Sequence, residues 1–244
     1  MTTCSRSRFS CVLAALALAV FPAKAERLEP LHPESVLWIG NSFTYYNGGV
    51  PAMVSQLAGG AIRTGMHAIG GAHLPDHAAN PAIPIDDDWD LVVVQGYSDG
   101  ATNPAKASAF NKALGRLTAR IRKSDAAPAL FMTWAYKDRP AMTGALAEAY
   151  AAAGAETDAP VIPVGLAFAT AKAARPQLRL YVTEDNRHPS PAGTYLAACT
   201  FYAAFFGHPP KDGSFTPSGL TPGDAAFLRE TAFETVRSYA GWPD

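Results

Sequence analysis

Once its first 25 residues are set aside, the chain has a single cysteine. Of the three in the sequence, Cys4 and Cys11 lie in the leading segment, and Cys199 sits in an apolar stretch, AACTFYAAFF. One cysteine makes no intramolecular disulfide, so stability must come from a packed core. Clusters of Cys and His at metal-ligand spacing are missing as well. Cys199 therefore reads as a small buried apolar residue rather than a nucleophile or ligand. Excess charge of either sign is also lacking. Lys and Arg number 20 against 21 Asp and Glu, a net charge of −1. Nothing electrostatic points to nucleic acid or to an anionic membrane surface. Beyond the leading segment no apolar run is long enough to span a bilayer, and there is no internal repeat, low-complexity block or linker. What remains is 244 residues, 48% of them hydrophobic and 17% charged. That is enough apolar material for one sizeable α/β domain, and it argues against disorder.

Residues 1–25 have the pattern of an export signal. Arg6 and Arg8 form a basic start, an apolar run follows from Cys11 to Phe21, and Ala23-Lys24-Ala25 places small residues where a signal peptidase reads them. The run is too short to anchor the chain comfortably, so cleavage before Glu26 is expected. The sequence thus divides into a signal peptide, 1–25, and one domain, 26–244, with a periplasmic or secreted location. Losing Arg6, Arg8 and Lys24 leaves 17 basic and 21 acidic residues, a net of −4.

Strand-like and helix-like segments then alternate. Ser35 to Ile39 is short, apolar and β-rich. Met66 to Ile69 is a weaker strand, Trp89 to Gln95 (WDLVVVQ) the clearest, and Ala129 to Trp134 and Pro160 to Val164 complete a set of five. Helical spacing marks 49–58, 104–123, 140–153, 167–174, 190–206 and 222–239. Alternation of this kind implies parallel crossovers. The expected fold is a three-layer α/β/α sandwich with a mainly parallel five-stranded sheet, of flavodoxin-like type.

Ligands of such sheets bind beyond the carboxyl ends of the strands. After the first strand stands Gly40-Asn41-Ser42-Phe43, where a glycine permits a tight turn and the serine hydroxyl is presented between strand and helix. Read by itself, Ser42 fits a helix cap equally well. Before the penultimate helix stands Asp185-Asn186-Arg187-His188-Pro189-Ser190. A D-x-x-H on a loop can set a carboxylate beside an imidazole: the Asp orients the ring, and the His takes and returns a proton.

Serine after the first strand and D-x-x-H before the last core helices resemble the layout of the SGNH/GDSL hydrolase superfamily over essentially the whole mature chain. The texts VLWIGNSFTYYNGGVP and DNRHPSPAGTYLAA are similar to an exported bacterial branch. The resemblance implies a catalytic triad of Ser42, His188 and Asp185. It also implies an oxyanion hole built from the nucleophile's own N–H, a glycine N–H after strand two and an Asn after strand three. Ser42 and Gly71 (in AIGGAH, with Gly70 one residue off) match the first two. The third departs from the pattern: VVVQGYSDG stands where G-x-N-D is usual. Gln95 is the expected donor, and Ser98 the alternative if Gly96 is the motif glycine.

Other residues carry less. His73 and His77 stand four apart with Asp76 between, but no third ligand is evident, and neither metal nor cofactor is expected. Trp134 and Tyr136 could wall a substrate pocket or lie in the core. Asp86-Asp87-Asp88 reads as a solvated turn. The expected activity is an exported serine esterase working through an acyl-enzyme on a small-molecule or carbohydrate ester. With no lipid-sized apolar lid segment, a small acyl group such as acetyl is expected. A non-catalytic envelope or carbohydrate-binding protein of the same fold, or an acyltransferase, are the alternatives; the oligomeric state is left open.

Overall fold

The computed structural model describes residues 28–243; the expected signal segment, with Cys4 and Cys11, lies outside the described residues. Five strands, β1 (Ser35–Gly40), β2 (Arg63–Ala68), β3 (Leu91–Val94), β4 (Ala127–Phe131) and β5 (Val161–Ile162), form one sheet in the order β2-β1-β3-β4-β5, and every pairing is parallel. This is the doubly wound order whose strand sequence reverses direction between β1 and β3, the place where such sheets leave a crevice.

The helices are α1 (Ser42–Tyr45), α2 (Val50–Leu57), α3 (Leu74–Ala78), α4 (Ala107–Lys123), α5 (Met142–Thr157), α6 (Val164–Ala174), α7 (Pro191–Phe206) and α8 (Pro222–Ala240). Alternate strand residues face opposite layers, as a period of two requires. Val36, Trp38, Val93, Ala129 and Phe131 pack with α2, α6, α7 and α8. Leu37, Ile39, Val92, Val94 and Leu130 pack with α3, α4 and α5. Helix α7 is buried all round, so it shows no polar face and little amphipathic pattern. Cys199 lies within it, fully buried, and burial pushes its thiol well above the ordinary range. It behaves as a core residue and not as a reactive thiol.

Several elements differ from the sequence expectation. β2 starts at Arg63, not Met66, because an edge strand left half exposed needs no apolar run to mark it. β4 spans 127–131 and ends before Trp134, which therefore sits in the following loop. Helices α1 and α3 have four and five residues, too few for a 3.6-residue pattern to register.

The loop that carries Asp185 and His188 is tied to this frame. Val182 N–H donates to the His188 carbonyl at 3.0 Å, and Ser190 N–H to the Leu180 carbonyl at 3.0 Å. Ser190 caps α7 by accepting from Gly193 N–H at 3.2 Å, with Pro191 at the first helical position. Gly193 presses against the Leu180 carbonyl so closely that a Cβ would collide with its oxygen. Gly193→Ala should cost about 1–3 kcal/mol of stability, the usual range for overpacking. Urea unfolding at equilibrium checks this, and an unchanged midpoint would show that the loop yields freely.

Candidate active site

The turn that presents Ser42 is built by a set of interactions around Gly40. Its backbone approaches so near to Thr44 and Gln95 that a Cβ would sit 2.6 Å from Gln95 Oε1 and closer still to the Thr44 hydroxyl. Glycine is needed here for room rather than for an unusual φ. Asn41 N–H donates to Gln95 Oε1 at 2.8 Å, and the Thr44 hydroxyl donates to the same oxygen at 2.9 Å. Asn41, not Ser42, caps α1: its Oδ1 accepts from Phe43 N–H at 3.2 Å while its Nδ2 donates to the Ala72 carbonyl at 3.1 Å. With that task taken by Asn41, the Ser42 hydroxyl is free to face the histidine. The Ser42 N–H, at the first position of the helix, has no helical carbonyl to meet.

His188 Nε2 lies 2.8 Å from Ser42 Oγ, and its Nδ1 is hydrogen-bonded to Asp185 Oδ2. The other carboxylate oxygen, Oδ1, accepts from Arg187 N–H at 2.9 Å and His188 N–H at 3.0 Å. The D-x-x-H spacing thus lets one carboxylate grip both the ring and the two amides that lead to it. Burial alone would raise the Asp185 carboxyl. The bonds from the His188 ring and from the Arg187 and His188 amides outweigh it and hold the group below the ordinary aspartate value of 3.8. Asp185 is therefore an anion facing the imidazole across the neutral range.

Aromatic rings hold this line in place. Tyr46 stacks on the His188 ring at 4.3 Å and 16°, and Phe43 meets it edge-on at 5.6 Å. Phe43 in turn stacks on Trp134 at 4.4 Å, and Trp134 on Phe168 at 4.3 Å. Trp134 Nε1 donates to the Arg187 carbonyl at 2.9 Å. Trp134 is fully buried and belongs to the core, so it does not wall the cavity. Tyr136 is 5% exposed, and its hydroxyl meets Ser98 Oγ at 2.6 Å. Asn47, unremarked in the sequence reading, bridges the two halves: its Nδ2 donates to the Pro189 carbonyl at 2.9 Å and to Thr194 Oγ1 at 2.8 Å. Its φ of 55° is the local sign of that role, since a tolerance for left-handed backbone is typical of Asn in turns.

A cavity of about 360 Å³ opens over Ser42 and His188 and includes Tyr45, Tyr46, Gly71, Tyr97, Ser98 and Arg187 in its lining. Gly71, at φ 73°, is exposed there, and its N–H has no partner among the described residues. Ser98 lines the cavity too. Gln95 does not, which corrects the expectation that its amide faces the reacting oxygen. Gln95 is 1% exposed, its Oε1 is held by Asn41 and Thr44, and its Nε2 donates to the Gly96 carbonyl. Its second N–H is buried with the rest of the side chain, away from the cavity lining, so it is not presented to a substrate there. His73 stacks on Tyr97 at 4.2 Å beside the cavity, whereas His77 is 1% exposed and faces His67 edge-on at 5.7 Å.

A parallel α/β sandwich with a Ser–His–Asp line at the carboxyl edge of its sheet defines a hydrolase of the serine class. No family model matches the chain, and no curated protein does. Solved structures do. A candidate SGNH hydrolase from Slackia heliotrinireducens is 29% identical, at a TM-score of 0.55 over 67% of this chain and 94% of that one. A DUF4886 family protein from Bacteroides uniformis shares the fold at a TM-score of 0.66 with 21% identity, over 83% and 94% of the two chains. A variant of an acetyl-xylooligosaccharide esterase from Geobacillus does so at 0.58 with 16% identity, over 75% and 97%. The chain belongs to the SGNH/GDSL hydrolase superfamily.

Gln95 is thus a structural residue of the turn that presents Ser42. Gln95→Ala would leave the buried Asn41 N–H and the Thr44 hydroxyl without their acceptor, at a cost on the order of 1–3 kcal/mol. Urea unfolding of that variant should show a lowered midpoint; a midpoint equal to the parent's would return Gln95 to the list of catalytic donors.

Proposed function

We propose that the protein is a serine esterase in which Ser42 is the nucleophile, His188 the general base and then acid, and Asp185 its orienting anion. The observation that carries this reading is the unbroken line from Ser42 Oγ through both nitrogens of His188 to Asp185. Ser42 Oγ attacks the acyl carbon as its proton passes to His188 Nε2. The tetrahedral intermediate collapses, and the same proton leaves with the alcohol. Water, deprotonated by His188, then attacks the acyl-enzyme, and the acid is released as the proton returns to Ser42. The Asp185 carboxylate keeps Nδ1–H fixed and stabilises the imidazolium of each step.

The oxyanion would be held by the N–H groups of Ser42 and Gly71 and by the Ser98 hydroxyl, which takes the place first given to Gln95. The phenol of Tyr136 supports this assignment: if its O–H donates to Ser98 Oγ, the Ser98 hydrogen is released toward the cavity. A cavity of about 360 Å³ rimmed by tyrosines suits a short acyl group on an alcohol that packs against rings, a carbohydrate among them. The esterase neighbour named for acetyl-xylooligosaccharides shares the fold that would serve such a substrate. The basic start, apolar run and Ala23-Lys24-Ala25 support export of this activity from the cytoplasm.

Three outcomes are expected. Ser42→Ala abolishes turnover of a short p-nitrophenyl ester while the protein stays folded, since a small, half-buried hydroxyl at a helix start contributes little to the core. Ser98→Ala lowers kcat by about 100-fold with little change in KM, as loss of an oxyanion donor does. Near-normal rates in either variant would reject the role assigned to that residue, and transfer of the acyl group to an added sugar in preference to water would make the enzyme an acyltransferase. In an expressing bacterium, the N-terminal sequence of envelope material should begin at Glu26; an intact chain confined to the cytoplasm would overturn export.

A further inference from the structure

The cavity contains one basic side chain besides the histidine, and the mechanism above gives it no task. Arg187 lines the cavity with Ser42, Gly71 and His188, and it is exposed there. Its guanidinium carbon lies 4.7 Å from the centre of the Tyr136 ring. A guanidinium resting on a ring uses its flat face and keeps its N–H edge open. Both ends of the support are fixed. The Arg187 backbone is pinned by its N–H to Asp185 and by its carbonyl to Trp134 Nε1, and Tyr136 is buried with its hydroxyl on Ser98.

What Arg187 lacks is an anion. Among the described residues no carboxylate lies within ion-pair distance of it. Asp185 is the one carboxylate among the described residues of the cavity lining, and it and two acids close in sequence to the lining or to His73 are committed elsewhere. Asp185 holds His188 and two amides, Asp99 pairs with Lys106 at 2.8 Å, and Asp76 accepts the His73 N–H at 2.7 Å. An unpaired, preoriented guanidinium next to a serine nucleophile is suited to one kind of partner, a compact anion with two oxygens that meets its fork.

We propose that Arg187 binds a carboxylate carried by the ester in the cavity, so that the substrate class is a short ester bearing a negative charge close to the scissile bond. The proposal rests on the esterase reading and adds the charge of the substrate to it. The net negative charge of residues 26–244 makes it more telling, since a generally acidic protein repels anionic esters unless a local cation receives them.

Two matched pairs of esters test it with the full purified chain. Phenyl acetate and 4-acetoxybenzoate differ by a carboxylate on the alcohol side. Phenyl pentanoate and the phenyl monoester of glutaric acid differ by one on the acyl side. In at least one pair the charged member should have the higher kcat/KM. Arg187→Gln should reduce that charged-to-neutral ratio by about tenfold or more, chiefly through KM, because the bond is present in ground and transition state alike. Arg187→Lys should fall between, keeping the charge and losing the fork. A parent protein with no preference in either pair, or a ratio that Arg187→Gln leaves unchanged, overturns the proposal while the esterase reading stands. A kcat loss of equal size on charged and neutral esters also overturns it, and would place Arg187 at the oxyanion instead. Absence of turnover on all four esters, with no labelling of Ser42 by a fluorophosphonate, removes the esterase reading and this proposal together.

Discussion

Trp134 joins the two parts of the site that the chain keeps 146 residues apart. Its ring stacks on Phe43, the neighbour of Ser42, and its N–H holds the carbonyl of Arg187, the neighbour of His188. One rigid, fully buried side chain thus fixes the separation of Ser42 and His188 from the core side, away from the cavity. Asn47 closes the same gap from the other side through Pro189 and Thr194. A Ser–His distance of 2.8 Å is demanding for a helix start and a loop to maintain from opposite parts of the chain. Side chains locked by packing and by their own hydrogen bonds are the general means of holding such a geometry.

The same economy governs Gln95. At the end of β3 an amide side chain was expected to reach the reacting centre, and the structure turns it inward. It serves the Ser42 turn, taking the Asn41 N–H that the sharp exit from β1 leaves without a backbone carbonyl. A buried amide that accepts twice on one oxygen and donates on the other end leaves no polar atom unmet, as a buried polar group must. Gly40 is part of this arrangement, since any side chain there would expel the Gln95 oxygen. The G-N-S-F text and the glutamine of VVVQG are therefore one device written in two places.

The fold was largely legible because buried parallel strands must be continuous apolar runs, and β1, β3 and β4 are. The edge strand β2 was not, since half its surface needs no burial. Ser42, Asp185 and His188 could be picked out since a strand-turn-helix and a D-x-x-H loop have local signatures, and the structure brings these three side chains together. The direction of a side chain has no such signature. Gln95 and Ser98 differ by three positions on the same segment; Gln95 is held inward by the Asn41 N–H, while Ser98, bonded to the Tyr136 hydroxyl, lines the cavity. Trp134 and Tyr136 show the same limit, two residues apart, one in the core stack and one beneath an arginine.

The segment from Asp185 to His188 concentrates these lessons in four residues. Asp185 spends one oxygen on the ring of His188 and the other on the amides of Arg187 and His188, so the loop's shape and the imidazole's orientation have a common cause. Asn186 at φ 57° provides the left-handed step that brings those amides round. The same turn delivers Arg187 onto the Tyr136 ring, and Tyr136 in turn bonds Ser98. A change in loop shape would therefore move the His188 ring, the Arg187 guanidinium and the Ser98 hydroxyl at once. On the proposed reading, charge recognition and proton transfer would share one backbone, so an ester seated by its anion would be seated in register with His188.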